Sequence, residues 1–391
     1  MNRLVILGAG MVGRGLLGEL FGTAGWDVRF FDIDETVVTL LNTAHGYTHF
    51  AVATGGTRET WVPVAGAGLV TDVDAVVAAL VEADLAATAV GAAALPKLAP
   101  VLAAAVRARE AARVGPLDLL LCENLPDADA VMAGYLERDL ETPAAGRIGL
   151  VTTSIGRMIP SSRPDDPPGT VRAEPYGYLP IDARARLGRA TLPGRVIVDH
   201  SVPFTFYEHR KYYIHNLGHC FTAYLGMAAG DELVDQAISR PEIRYVVRAA
   251  MTESAVALAS RYGTGMGELL THVDDLLYRF GNRALGDPVT RVGRDPVRKL
   301  APADRFLGSL TMAAAAGLSA PYLCLAVATG ALQLRRLGWD ETAVWECLGA
   351  AGADVIAPRR DLVAAQMSGL TSGFDLDGQL DLIERHLAHT W

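Results

Sequence analysis

An α/β domain built on a parallel sheet over residues 1–195, followed by a mostly α-helical domain over residues 196–391, is the architecture that three features of the sequence predict. Short apolar runs alternate with helical patterns of about 10 to 18 residues through the first half. A glycine-rich turn joins the first run to the first helical pattern. From about Pro203 the texture becomes helical almost throughout. A chain of 391 residues is also longer than one hydrophobic core usually serves, which fits two domains.

The elements follow in order. "RLVILGAG" is an apolar strand ending in glycines, and "MVGRGLLGELFGTAG" places Val12, Leu16, Leu17 and Leu20 at helical spacing. "WDVRFFDID" reads as a second strand and "TVVTLLNTA" as a second helix. "AVVAALVEAD" is helical, "LAATAVG" strand-like, and the helix "LPKLAPVLAAAVRAREAARVG" precedes the buried strand "LDLLLCEN". "GRIGLVTTS" adds another strand. The proline-rich, polar stretch 159–177 reads as a loop excursion, and "RVIVDHSV" as the last strand of this half. In the second half Pro241 and Asp340 mark helix starts.

Composition narrows the function classes. Apolar residues make up 50% and charged ones 20%, as in a soluble globular enzyme. A net charge of −9 speaks against non-specific nucleic-acid binding, which needs a basic surface. Cys122, Cys220, Cys324 and Cys347 are scattered without zinc-ligand spacing, so the chain reads as reduced, cytoplasmic and without a structural metal. The sequence runs from its first residue straight into a strand, and no cleavable leader is expected. Residues 307–334 carry no charge over 28 positions, longer than the roughly 20 that span a bilayer. They are rich in Ala, Gly, Ser and Thr and are interrupted by Gly317 and Pro321, which predicts two buried helices rather than a membrane span.

Gly8, Gly10 and Gly13 form G-x-G-x-x-G between the first strand and the first helix. The first glycine permits the tight turn, the second a close approach of pyrophosphate to the backbone, and the third close packing of helix on strand. The helix N-terminus offers its unpaired N–H groups to the phosphates. Asp32 ends the second strand 19 residues after Gly13. A carboxylate there accepts the ribose hydroxyls and repels a 2′-phosphate, so a Rossmann-type domain binding NAD rather than NADP is expected. Arg29, the nearby cation, lies inside the strand. The strand ends "TAVG" (88–91) and "CEN" (122–124) point to the same edge of the sheet, with Asn124 either beside the nicotinamide ribose or simply closing a turn.

A dinucleotide implies hydride transfer, and the protein must then move a proton. A Tyr-x-x-x-Lys pair on a suitable helix is missing, and so are the ligands of a zinc alcohol dehydrogenase. "KYYIHNLGH" (211–219) offers an alternative: with ~100° per residue on an α-helix, His219 lies ~80° and Asn216 ~140° from Lys211, so the three share one side. A lysine base with Asn and His donors to the reacting oxygen fits hydride chemistry. A surface lysine with Asn and His capping local backbone fits the spacing as well.

Lys211-x4-Asn216-x2-His219 followed by "TAYLG" resembles the signature of the polyol-specific long-chain dehydrogenase/reductase family, the mannitol dehydrogenase group. The resemblance extends through "GAGMVGRG", "HGYTHF", "TAVG", "CEN" and "RVGRDPVRKLAPADR" (291–305). Within the family it points to members acting on mannitol 1-phosphate. It implies a metal-independent NAD enzyme in which Lys211 is the general base and Asn216 and His219 orient and polarise the substrate oxygen. Residues 291–305 hold five cations, and Arg294, Arg298 and Lys299 are the candidates for gripping a sugar phosphate. The alternative is a solvated basic face paired with Asp295 and Asp304.

Two departures stand out. Where relatives show Val-Asp-Arg before a proline, this chain has Gly156 and Arg157, and Thr152 takes the place of an extra Asn or Asp. Glu208 is positioned three residues before Lys211 to relay a proton to solvent. The expected reaction is oxidation of mannitol 1-phosphate to fructose 6-phosphate with NAD⁺. The alternatives are an unphosphorylated polyol or sugar acid as substrate, or a dinucleotide sensor without catalysis.

Overall fold

The structure is a computed structural model that describes residues 1–160 and 165–388. The chain separates into two compact units, residues 1–204 and 205–391. Unit 1 contains strands β1 (Arg3–Leu7), β2 (Asp27–Asp32), β3 (Gly46–Ala53), β4 (Gly56–Pro63), β5 (Gly66–Leu69), β6 (Leu85–Thr88), β7 (Leu117–Leu121), β8 (Ile148–Thr152), β9 (Val171–Ala173), β10 (Leu179–Ile181) and β11 (Val196–Val198).

Six of these form an all-parallel sheet in the order β5-β2-β1-β6-β7-β8. The chain runs outward from β1 through β2 to β5, then returns to β6 on the other side of β1. The strand order therefore reverses between β1 and β6, where open α/β sheets bind ligands beyond their carboxyl ends. Strand periodicity explains the two cores. Val5 and Leu7 face one side with Ala86, Leu119 and Leu121, under the helices Val73–Glu82, Leu95–Ala111 and Ala128–Leu140. Leu4 and Ile6 face the other, with Phe30, Leu85, Ala87 and Leu120, against Leu16, Leu17, Leu20 and Phe21. Each fully buried leucine stabilises the fold by about 1.5–3 kcal/mol relative to exposure.

Three features differ from the sequence reading. Residues 46–63 form an antiparallel hairpin, β3–β4, which β9 extends into a separate three-stranded sheet. The stretch 159–177 is thus not wholly a loop; its residues 161–164 lie outside the described residues. The glycine-rich "GAGL" is strand β5, where a Cβ at Gly68 would stand 2.7 Å from the Phe31 ring. Finally, β11, expected as the last strand of the first half, lies outside the main sheet and pairs with β10, and unit 1 extends to residue 204 rather than 195.

Among its described residues unit 2 is helical. Pro241 occupies the first turn of the helix Pro241–Tyr262, where its missing N–H costs nothing. Asp340 caps Glu341–Ile356, its Oδ1 accepting from Ala343 N at 2.8 Å. The uncharged stretch forms Leu307–Ala315 and Pro321–Arg336, broken at Gly317 and Pro321. Among the described residues no helix is long and apolar enough to cross a membrane.

Candidate active site

The glycine turn of unit 1 is shaped by what each glycine meets. Gly8 has φ +106°, and an added Cβ would lie 2.5 Å from the Ala89 carbonyl oxygen. At Gly13 it would lie 2.0 Å from the Gly8 oxygen, so helix and turn could not close together. At Gly10 a Cβ would meet nothing within 4 Å. That open side of the turn is the room a pyrophosphate needs, and it adjoins the helix that follows. Asp32 fits this arrangement: Oδ2 accepts from Ala9 N at 2.5 Å and Oδ1 from Asp34 N at 3.0 Å. The carboxylate therefore fixes the turn at the end of β2. Arg14, the cation after Gly13, is committed to the carbonyls of Ala9 (2.6 Å) and Gly169 (2.7 Å). Asp32, Asp34 and Glu35 make the surroundings acidic, as a cofactor without a 2′-phosphate requires.

The helix after this turn is π-helical from Gly13 to Gly18. The wider turn changes which carbonyls find backbone partners, and side chains supply donors. Tyr47 Oη donates to the Arg14 carbonyl. His49 Nε2 donates to that of Gly15 at 3.3 Å, and Arg157 Nη1 donates to the same oxygen at 2.9 Å. Arg157 also pairs with Glu19 (2.9 Å) and donates to the Glu174 carbonyl, while Arg195 holds Glu19 from the other side. Arg157, retained beside the departure at Gly156, is thus a buried brace. Glu123 went unread within "CEN"; it accepts from Thr88 Oγ1 (2.6 Å) and Val90 N (3.2 Å), tying the ends of β6 and β7 together. Burial pushes its carboxyl above the usual range despite these bonds. Asn124 is exposed just beyond it, and Thr152 is buried at the end of β8.

In unit 2 the motif begins a second π-helical segment, Lys211–Asn216, set between the helices Thr205–Arg210 and Leu217–Ala229. The Leu217 N–H reaches back to the Tyr212 carbonyl, five residues earlier. The α-helical angles assumed from the sequence therefore do not apply. A π-turn advances each residue by less than 100°, which brings positions five apart, Lys211 and Asn216, closer to one face. Both are half-buried, and Lys211 Nζ lies 5.6 Å from the Tyr212 ring centre. Rings brace the segment: His209 stacks on Tyr213 at 4.8 Å and accepts the Tyr262 hydroxyl at its Nδ1, 2.7 Å away.

His219 stacks on Phe280 with ring centres 5.1 Å apart and planes 11° from parallel. Its Nε2 lies 3.0 Å from Asp287 Oδ2, at ion-pair distance but out of line for a hydrogen bond. Asp287 Oδ1 accepts from Arg291 Nε (2.8 Å) and Nη2 (2.6 Å). Asp287 was not singled out in the sequence, since it stands 68 residues after His219 with no periodic relation to it.

Carboxylates accompany the cations of the basic stretch. Arg298 lies between Asp295 (3.0 Å) and Asp304 (3.1 Å), and Arg305 also pairs with Asp304. Arg294 is exposed and donates to the Arg291 carbonyl at 3.2 Å. Lys299 is only 4% exposed; burial lowers its ammonium to about 8, with nearby Cys220 opposing that shift. Among the described residues no group of three or more His, Cys, Asp or Glu side chains is placed to hold a metal ion.

Comparison with known proteins matches both units. The family model for the mannitol dehydrogenase Rossmann domain covers residues 2–193, and that for the mannitol dehydrogenase C-terminal domain covers residues 204–336. Two solved structures share the fold. Pseudomonas fluorescens mannitol 2-dehydrogenase, in a ternary complex with NAD and D-mannitol, is 16% identical over 99% of this chain and 94% of that one, with a TM-score of 0.72. A D-sorbitol dehydrogenase in substrate-free form is 15% identical over 96% and 94%, with a TM-score of 0.77. Matched by family models across most of its length, the chain belongs to the mannitol dehydrogenase family.

Proposed function

We propose that this enzyme oxidises a secondary hydroxyl of an unphosphorylated acyclic polyol to the ketone, with NAD⁺, using Lys211 as general base. What supports the reading most is the π-helical winding of Lys211–Asn216, in a chain of this family. Gly8, Gly10, Gly13 and Asp32 hold the dinucleotide, with Asn124 near the same sheet edge. When bound, NAD⁺ supplies the hydride acceptor. Lys211 Nζ takes the hydroxyl proton, while Asn216 donates to the oxygen on which negative charge develops. His219 contacts that oxygen, and Glu208 passes the proton outward. The products are ketone, NADH and one proton. The preference for a substrate without phosphate rests on Arg291, Arg298 and Arg305, each already paired with a carboxylate, and on the burial of Lys299.

A second reading, mannitol 1-phosphate to fructose 6-phosphate, is favoured by exposed Arg294 and by an excess of five cations over three carboxylates in residues 287–305. NADH formation or loss at 340 nm separates the two readings, with mannitol and fructose compared against their phosphorylated counterparts. Turnover of only the phosphorylated pair would replace the first reading with the second. Under either, Lys211→Ala is expected to lower kcat by about 10²–10⁴-fold. A variant that keeps its rate would remove Lys211 as the base, and silence of the wild type on all four compounds would sink both readings.

A further inference from the structure

Resting on the polyol reading above, we infer that Asp287 is a positioning residue for His219, holding the Nε2 edge of the imidazole so that Nδ1 is the nitrogen offered to the substrate oxygen. Three observations support this. Nε2 is buried, so water does not answer its polarity, and Asp287 Oδ2 lies 3.0 Å away. Arg291 grips the other oxygen of the same carboxylate with two nitrogens. The ring plane is set by stacking on Phe280, leaving edge rotation as its main remaining freedom.

The tautomer follows from electrostatics. A bare Nε2 lone pair 3.0 Å from a carboxylate oxygen would be repelled, whereas an Nε2–H is attracted. The argument requires an ionised Asp287. Burial pushes its carboxyl up, but its surroundings, with the Arg291 guanidinium on Oδ1, bring it below the usual range overall. The other charged or titratable groups around the His219–His215 pair are Lys211, His272, Arg279 and Arg291. Burial holds His215 well below its usual value, so it stays neutral. Asp275 pairs with Arg279 at 3.3 Å, and Asp287 is the anion at His219 Nε2. With Nε2–H turned to Asp287, Nδ1 is left to face the substrate oxygen, whose proton goes to Lys211, and the ring donates there when Nδ1 carries a proton.

The test is long-range ¹H–¹⁵N correlation on the full-length protein with ¹⁵N-labelled histidine, assigned with His219→Gln and run beside steady-state kinetics. Neutral His219 in the wild type is expected to show the Nε2–H pattern. Asp287→Asn should mix the tautomers and lower kcat/KM by about 10–100-fold, and Asp287→Glu should restore part of both. If Asp287→Asn does not fold, Arg291→Met reads the same pair from its other end and should weaken the Nε2–H preference. An Nδ1–H pattern in the wild type, or an unchanged pattern in folded Asp287→Asn, would overturn the inference. Silence on every polyol with the Nε2–H pattern lost in Asp287→Asn would uphold the positioning role and overturn only the polyol reading.

Discussion

Both functional motifs are wound as π-helix, Gly13–Gly18 in unit 1 and Lys211–Asn216 in unit 2, yet they are supported in different ways. The first is held by buried polar chemistry: Tyr47, His49 and Arg157 donate to its carbonyls, and Glu19 just after it takes two arginines. The second is held by rings, through the His209–Tyr213 stack and the contacts of His215 with Phe280 and His219. The difference follows from what each segment contributes. In the proposed site the glycine segment offers backbone to a ligand, and side chains of neighbouring elements satisfy its carbonyls. In the same proposed site the lysine segment offers side chains, and aromatic and imidazole rings, His219 among them, pack along it.

The contrast breaks most sharply at Arg157. Arg157→Met keeps volume but removes donors to the Gly15 and Glu174 carbonyls and one partner of Glu19. Loss of one member of a buried charge network typically costs 3–5 kcal/mol, and Arg195 still faces Glu19, so the lower end, about 3 kcal/mol, is expected. In a unit of this size that is a fall in Tm of roughly 6–12 °C by calorimetry. A loss below about 1 kcal/mol would mean that the first π-segment stands without its brace.

A pH measurement sharpens the same comparison. Burial, assisted by Arg157, lowers His49 to about 4, so it is neutral in the folded protein while donating from Nε2 to Gly15. The unfolded chain takes up this proton near 6.5 and the folded chain refuses it until about 4. Its contribution is complete above pH 6.5 and declines as pH falls toward 4, by about 3 kcal/mol in all. Urea unfolding of wild type and His49→Gln across pH 4–7 should show the wild type losing stability faster toward acid. Parallel pH profiles would remove His49 from the buried brace.

The sequence carried the parallel sheet because its strands are continuous apolar runs, and it carried the glycine turn because that pattern has one purpose between a strand and a helix. It did not carry β5, since "GAGL" has little strand propensity; the strand is defined by its pairing with β2, and bare backbone at Gly68 leaves room for the Phe31 ring. Nor did it carry the hairpin 46–63, whose outer strand contains the polar run "TRET" and is held by antiparallel pairing with β3. The site was legible as residue types but not as geometry. Lys211, Asn216 and His219 stand out in the sequence as residue types, while the π-winding of residues 211–216 leaves no mark in a 3.6-residue pattern. Asp287 was hidden for another reason: its meaning lies in a contact across 68 residues of chain. The "GDP" at 286–288, just ahead of the basic stretch, was the one local cue, a short acidic turn before Arg291.

The smallest expected effect separates the ring-braced region from the charges around it. Arg298 is half exposed and bridges Asp295, itself half exposed, to the more buried Asp304. Exposed pairs of this kind contribute about 0–1 kcal/mol, because water screens them and two long side chains lose freedom on pairing. Asp304 keeps Arg305 when Arg298 is removed, and the Asp295 side chain still accepts from the backbone of residue 298. Arg298→Ala should therefore change stability by less than about 1 kcal/mol. The same variant bears on the substrate. If an unphosphorylated polyol is turned over, its KM should barely move. If a phosphate is gripped here, KM for mannitol 1-phosphate should rise about 10-fold or more while mannitol is unaffected, since a charge-assisted hydrogen bond is worth about 1.5–3 kcal/mol. A large rise confined to the phosphorylated substrate would show that Arg298 leaves its aspartates on binding, and the carboxylates that satisfy it in this structure would then be placeholders for the ligand.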